Sequence, residues 1–313
     1  MIMKKHAFIL CAFLCYCSVN GQILDLLKTK LKDKAVSMAG SQVSNMITTE
    51  PITTNFKDCD VTNVKDYTYA RNEKYQNLCT ADFSDAGYLL KPGYYELNIK
   101  SFCLKAGTYA PSKGDGYLYA PLKGPKKEIV EKLVKNWYQN PQIEQHDVQA
   151  LIWAVIAKAS FKNLSYELQL VAAKLLTPKD LLTLSKMGLD FIPSGTMSNI
   201  KSNLPKPVQM VLDAENKMRQ LFASSSYNYT ELERYAMLAG FNNEKSSIER
   251  GTWGKHPDGF WIAYLPEGYS HMRVRIYVPS TVSSVYFIPS DHVAVPANTS
   301  SQRLMLSDVK DCN

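Results

Sequence analysis

Two residues in this chain have types and surroundings suited to covalent chemistry. Cys103 stands in Phe102-Cys103-Leu104 at the end of an alternating run. Gln149 is the lone polar residue of Val148-Gln149-Ala150-Leu151-Ile152-Trp153. A thiolate is a soft nucleophile and a good leaving group. A carboxamide in an apolar helix needs hydrogen-bond partners or a chemical reason to be there. His146 would serve a Cys103–His146 dyad for acyl transfer. His146-Asp147 also reads as a capping pair, with Asp147 at the positive end of a helix dipole. Glu96, Asp115, Glu144 and Asp147 are candidates for the carboxylate pair that a glycosidase holds at fixed separation. Gly114-Asp115-Gly116 lacks the spacing of a dinucleotide or phosphate loop and reads as a turn.

The seven cysteines divide in two. Cys11, Cys15 and Cys17 fall in the N-terminal leader, and none follows the small residue that lipid attachment needs. Cys59, Cys79, Cys103 and Cys312 are the disulfide candidates; four cysteines allow three pairings, and an oxidising compartment favours two bridges. With no C-x-x-C spacing and no histidine in H-E-x-x-H, neither a metal site nor a cofactor is expected.

The elements that must position these residues follow from pattern. Residues 1–21 read as a signal peptide. Lys4 and Lys5 precede the apolar run Phe8 to Tyr16, and Ser18-Val19-Asn20-Gly21 leads to cleavage before Gln22. The run is too short to span a bilayer and no longer one follows it, so a secreted or periplasmic protein without a transmembrane segment is expected. The leader takes Lys4 and Lys5 and no acid from a net charge of +7, leaving +5. That mild excess favours anionic envelope surfaces; the lysines are too scattered for a nucleic-acid site.

Residues 22–48 read as an amphipathic N-terminal helix, with Ile23, Leu24, Leu27, Leu31, Ala35 and Met38 near one face. Residues 56–245 read as an α+β main domain: an N-terminal strand and loop region, then a helical core. A strand covers Tyr94 to Phe102 after the Pro92-Gly93 turn. Helices carry Ile129 to Trp137 and Val148 to Ile156. A third is capped by Ser165, and a fourth starts at Thr177-Pro178 and ends near Gly188. A fifth spans Pro207 to Ala223. A sixth follows the capping box Thr230-Glu231-Leu232-Glu233 and closes at Gly240. Residues 251–313 form a small antiparallel β unit, either a domain of its own or a sheet closing the helical core. There His271 to Val278 alternates polar and apolar.

With those elements placed, the aromatic-Cys element at Phe102-Cys103-Leu104 and the helical element Val148 to Trp153 resemble the signature of thioester domains in bacterial surface adhesins. The resemblance implies that the Cys103 sulfur attacks the Gln149 side-chain carbonyl and expels ammonia, leaving an activated acyl group. A surface amine then displaces the thiolate and forms a permanent amide. Val148, Leu151, Ile152 and Trp153 would exclude water, and Trp153, Tyr109, Tyr117 and Tyr119 would wall the site. The mature chain also resembles secreted proteins of Gram-negative Bacteroidota, in Cys103 to Thr108, Tyr117 to Gly124 and Val295 to Thr299; that implies export. The expected role is binding or surface interaction with an envelope or cell-surface protein or glycan, through a thioester unless Cys103 is taken by a disulfide. The competing expectation is an envelope glycan or peptidoglycan hydrolase.

Overall fold

Alternation from Gly93 to Cys103 produces the longest strand of the structure, a computed structural model that describes residues 45–186, 189, 194–224, 228–240, 242, 244–298 and 300–312. The chain divides into two units, residues 1–49 and 50–313. Of the first, residues 45–48 are helical. The expected signal peptide and nearly all of the expected 22–48 helix lie outside the described residues.

In the second unit the first half is mainly strands: β1 (Val64–Lys65), β2 (Gln76–Asn77), β3 (Tyr88–Leu90), β4 (Gly93–Cys103), β5 (Thr108–Tyr109) and β6 (Tyr117–Ala120). Helices follow: α1 (Lys127–Tyr138), α2 (Gln145–Ile156), α3 (Tyr166–Leu175), α4 (Pro178–Ser185), α5 (Ser194–Ser202), α6 (Lys206–Phe222) and α7 (Tyr229–Ala236). The chain then returns to strands: β7 (Met237–Leu238), β8 (Trp253–Lys255), β9 (Trp261–Pro266), β10 (His271–Val278), β11 (Val285–Phe287), β12 (Val293–Pro296) and β13 (Leu304–Lys310). This is an α+β fold.

The main sheet runs β1-β8-β9-β10-β4-β13-β12-β6, with β2 added in parallel to β4. β10 pairs antiparallel with β4 from His271↔Lys100 to Val278↔Gly93, and β13 takes the other edge of β4, with Leu304 opposite Cys103. The C-terminal strands therefore close the core; they share their sheet with the N-terminal half. β10 follows its two-residue period: Met272, Val274, Ile276 and Val278 are buried, while Arg275 bonds Glu96 at 2.7 Å and Tyr277 stacks on Tyr94 at 4.4 Å on the wet face. The sheet curls until its two ends meet. Gly254 of β8 lies against Leu118 of β6, where an added Cβ would come within 2.9 Å of Leu118 Cδ2. Gly116 is similarly constrained, since a Cβ there would meet the Ile248 and Glu249 carbonyls at 2.5 and 2.6 Å.

Helix starts follow local capping chemistry. Ser165 accepts from Leu168 N–H, and Thr177 forms a capping box with Asp180 ahead of α4. The cap of α7 is Asn228, whose Oδ1 accepts from Glu231 N–H at 3.2 Å. The expected capping box at Thr230 is replaced, and Glu233 is released for another partner.

The disulfide expectation is corrected in part. Cys79 pairs with Cys312, and Cys59 and Cys103 are free. Cys103 is sealed in the core, whereas the Cys59 sulfur turns to the Leu118 carbonyl at 3.9 Å. The Cys79–Cys312 bridge spans 233 residues. Loop-closure entropy makes so long a link strongly stabilising, so reduction or Cys312→Ser is expected to cost about 2–5 kcal/mol. An unchanged urea midpoint after reduction would contradict this.

Candidate functional site

α2 is stitched to β4 by two glutamines one helical turn apart. Gln145 Nε2 donates to the carbonyls of Ser101 (3.0 Å) and Ser270 (2.8 Å). Gln149 goes further: its Oε1 accepts from Cys103 N–H at 2.8 Å and its Nε2 donates to Cys103 C=O at 3.1 Å. Cys103 and Gln149, 46 residues apart in sequence, are thus brought together with both fully buried. The carboxamide satisfies both backbone groups of a residue whose side chain is a free, fully buried thiol. Burial, with the Glu233 charge as a second cause, pushes the Cys103 thiol well above its usual range, so it rests protonated.

Gln149 and Trp153 are four residues apart on one helix face, and His146 lies three residues before Gln149. The Tyr229 ring stacks with exposed His146 at 4.1 Å and with buried Trp153 at 5.4 Å. No hydrogen bond joins His146 to Cys103 among the described residues, so the dyad is not formed here. Trp153 Nε1 is a buried donor without a partner among the described residues.

Tyr229 Oη lies 3.0 Å from Tyr269 Oη, and the Tyr269 hydroxyl donates to Glu233 Oε1. Tyr229 and Glu233 are one turn apart on α7. Tyr269 sits in the turn before β10, where its carbonyl accepts from Ser101 Oγ at 2.9 Å, two residues before Cys103. Both tyrosine hydroxyls are raised well above their normal range, mainly by burial; Cys103 contributes to each shift. Sequence reasoning missed this trio. The only local signal was the four-residue spacing of Tyr229 and Glu233.

The remaining expected site residues are dispersed. Tyr117 is buried beneath the site, its hydroxyl donating to Gln302 C=O at 3.1 Å. Tyr109 lies in β5, paired with β7. Tyr119 belongs to another cluster, 4.4 Å from His256 and 5.4 Å from His292 by ring centroids. The carboxylates are spread over three places in the fold, with Glu144 and Asp147 together at the start of α2. Glu96 pairs with Arg275, and Glu144 stands at the N-cap of α2, beside which half-buried Asp147 has a raised pKa, chiefly from burial. Asp115 is buried, accepting from Ser112 N–H (2.8 Å), Asn298 Nδ2 (2.9 Å) and Ser301 Oγ (2.8 Å). The Gly114-Asp115-Gly116 turn is thus a structural knot.

A cavity of about 360 Å³ between α5 and α6 is lined by one carboxylate, Asp213, which is ion-paired to Lys201. Among the described residues no group of three or more His, Cys, Asp or Glu is placed to hold a metal ion. Likewise, no helix among them is long and apolar enough to cross a membrane.

The fold is α+β, and its most chemically distinctive site is a buried free thiol bracketed by a carboxamide beneath an aromatic wall. No family model matches the chain, and neither a curated protein nor a solved structure matches it.

Proposed function

We propose that this chain is an exported surface-interaction protein that attaches covalently to amines through a thioester between Cys103 and Gln149. One observation carries the reading: the Gln149 carboxamide is hydrogen-bonded to both backbone groups of Cys103, a free cysteine sealed from solvent. Attack of the thiol on Gln149 Cδ expels Nε2 as ammonia. Cys103 N–H stays available to the acyl oxygen, while the Cys103 carbonyl loses its donor, the less costly orphan of the two. Burial then protects the acyl group from hydrolysis. An arriving amine forms an amide at Gln149 Cδ and returns the thiol. The Cys79–Cys312 bridge supports the reading by accounting for two cysteines without using Cys103. The leader-like residues 1–21 supply the export part. The partner is an amine-bearing envelope or cell-surface protein or glycan. The hydrolase has less support: Glu96 pairs with Arg275, Asp115 is enclosed by its hydrogen bonds, and the small cleft shared by Glu50 and Glu215 also holds Lys105 and Arg303.

The test is the intact mass of the non-reduced protein from an exporting host, with and without methylamine. The expected result is a loss of one ammonia beyond the two hydrogens of the disulfide, replaced by one methylamine on incubation and absent from Cys103→Ala. A mass lacking only the disulfide hydrogens, with no methylamine uptake, retires the thioester.

A further inference from the structure

We propose that Tyr229, Tyr269 and Glu233 form a proton relay that draws a proton from the attacking amine and returns it to the departing Cys103 sulfur; this rests on the thioester reading. The direction of the chain follows from its hydrogen count. Tyr269 has a single hydroxyl hydrogen, and it goes to Glu233. Across the 3.0 Å contact, Tyr229 must therefore be the donor to the Tyr269 oxygen. The free lone pairs of Tyr229 are left as the accepting end of a chain that terminates on a carboxylate.

Position suits that task. Cys103, Gln149 and Trp153 are buried, whereas Tyr229, Tyr269 and Glu233 are each half-buried and stand at the boundary with solvent. The Tyr229 ring stacks on Trp153, one turn from Gln149, and Tyr269 is anchored to β4 through Ser101. The Cys103 thiol responds to the Glu233 charge, and both tyrosines respond to Cys103.

The chemistry requires such a group. Attack of R-NH2 on Gln149 Cδ gives a tetrahedral adduct with a positive nitrogen. The C–N bond is kept, the C–S bond breaks, and one proton must travel from nitrogen to sulfur. A thiolate in that dry, Glu233-facing site is a poor leaving group until protonated. The relay accepts the nitrogen proton at Tyr229, passes it toward Glu233, and gives one back to sulfur. The products are Gln149-CO-NHR and Cys103-SH, with no net change in the relay.

Time-resolved intact mass of methylamine uptake tests this on Tyr269→Phe and Glu233→Gln, each close to isosteric. Both are expected to show the ammonia-loss mass of the wild type. Both should take up methylamine about a hundredfold more slowly, with a flattened pH–rate profile. Glu233→Asp is expected to recover part of the rate. Wild-type rates and pH profile in both variants overturn the relay and leave the thioester standing. Failure of both variants to form the thioester, while the wild type does, also overturns it by assigning the trio to bond formation. Absence of the ammonia loss in the wild type removes the thioester itself.

Discussion

Gln149→Glu is expected to be about 3–4 kcal/mol less stable than the wild type at neutral pH and to recover almost fully in acid. The reason lies in the two bonds to Cys103. A glutamate carboxylate accepts from Cys103 N–H but has nothing to donate to Cys103 C=O, and it places a charge in a fully buried site. A protonated glutamic acid restores both bonds in the same shape. Folding therefore raises the pKa of the new carboxyl above its unfolded value of about 4.3. The variant's deficit is complete above that raised pKa, shrinks by about 1.4 kcal/mol per pH unit below it, and vanishes below about 4.3. Gln149→Ala leaves two buried backbone groups unpaired at every pH, a deficit of about 2–6 kcal/mol without the acid recovery. Urea midpoints of the three proteins between pH 4 and 8 measure this. A pH-independent gap between Gln149→Glu and the wild type would contradict the bracket. Cys103→Ala keeps the backbone bonds, so it separates the bracket's contribution from that of the thiol.

The second large effect concerns the cluster around Tyr119. His256 and His292 stack at 4.8 Å in the core, near Phe260 and Phe287. Their tautomers are set by the backbone. His292 Nδ1 donates to Ile288 C=O at 2.8 Å, so its Nε2 is an acceptor; His256 Nδ1 accepts from Asp258 N–H at 3.2 Å, so its Nε2 carries the hydrogen. Both Nε2 atoms are buried without partners among the described residues. Burial depresses His256 to about 4 and His292 to about 3, the latter also through His256, with Asp291 and Asp258 acting in the opposite direction. Both values lie below the unfolded one, so the unfolded chain binds more protons and stability falls as pH drops. From the pair alone the loss begins near pH 6.5 and approaches two protons, about 3 kcal/mol per pH unit, before levelling as the folded values are reached; Glu215, raised to about 7 by burial, binds a proton in the folded state across the same window and offsets about one of them. The urea midpoint should fall steeply between pH 6 and 4.5, and His256→Gln should remove about one proton from the slope. A His256→Gln slope equal to the wild type's across that window would show that the pair is not neutral and buried.

What could be read before folding was whatever depends on near neighbours. Strands at 94–102 and 271–278 declare themselves by a period of two. Ser165 and Thr177 are caps because the donors that they satisfy lie within three residues. A lone amide in an apolar helix and a cysteine ending a strand each call for an explanation, but their approach to one another was implied only by the resemblance to thioester domains. The failures share a different cause. Asn228 and Thr230 are both good caps, and only the packed position of α7 selects Asn228. Tyr229, Glu233 and Tyr269 meet across two elements, so no spacing reveals Tyr269. Cys79 and Cys312 carry no connectivity in their numbers. The role of Gln145, in the first turn of α2, appears only when Ser101 and Ser270 come within reach.

The strand order has a consequence for how the chain is made. β4 is flanked by β10 and β13, so Cys103 waits for Leu304. At about 5–20 residues per second, the ribosome adds that partner roughly ten to forty seconds after Cys103. Until β10 emerges the 11-residue strand has only β2 beside it, and the stretch that faces β13 stays bare until Leu304, a template for pairing with other chains. Nascent protein is then open to pairing with other chains until late in synthesis. A chain stopped short of Leu304 carries both motif residues and lacks the strand that lies opposite Cys103.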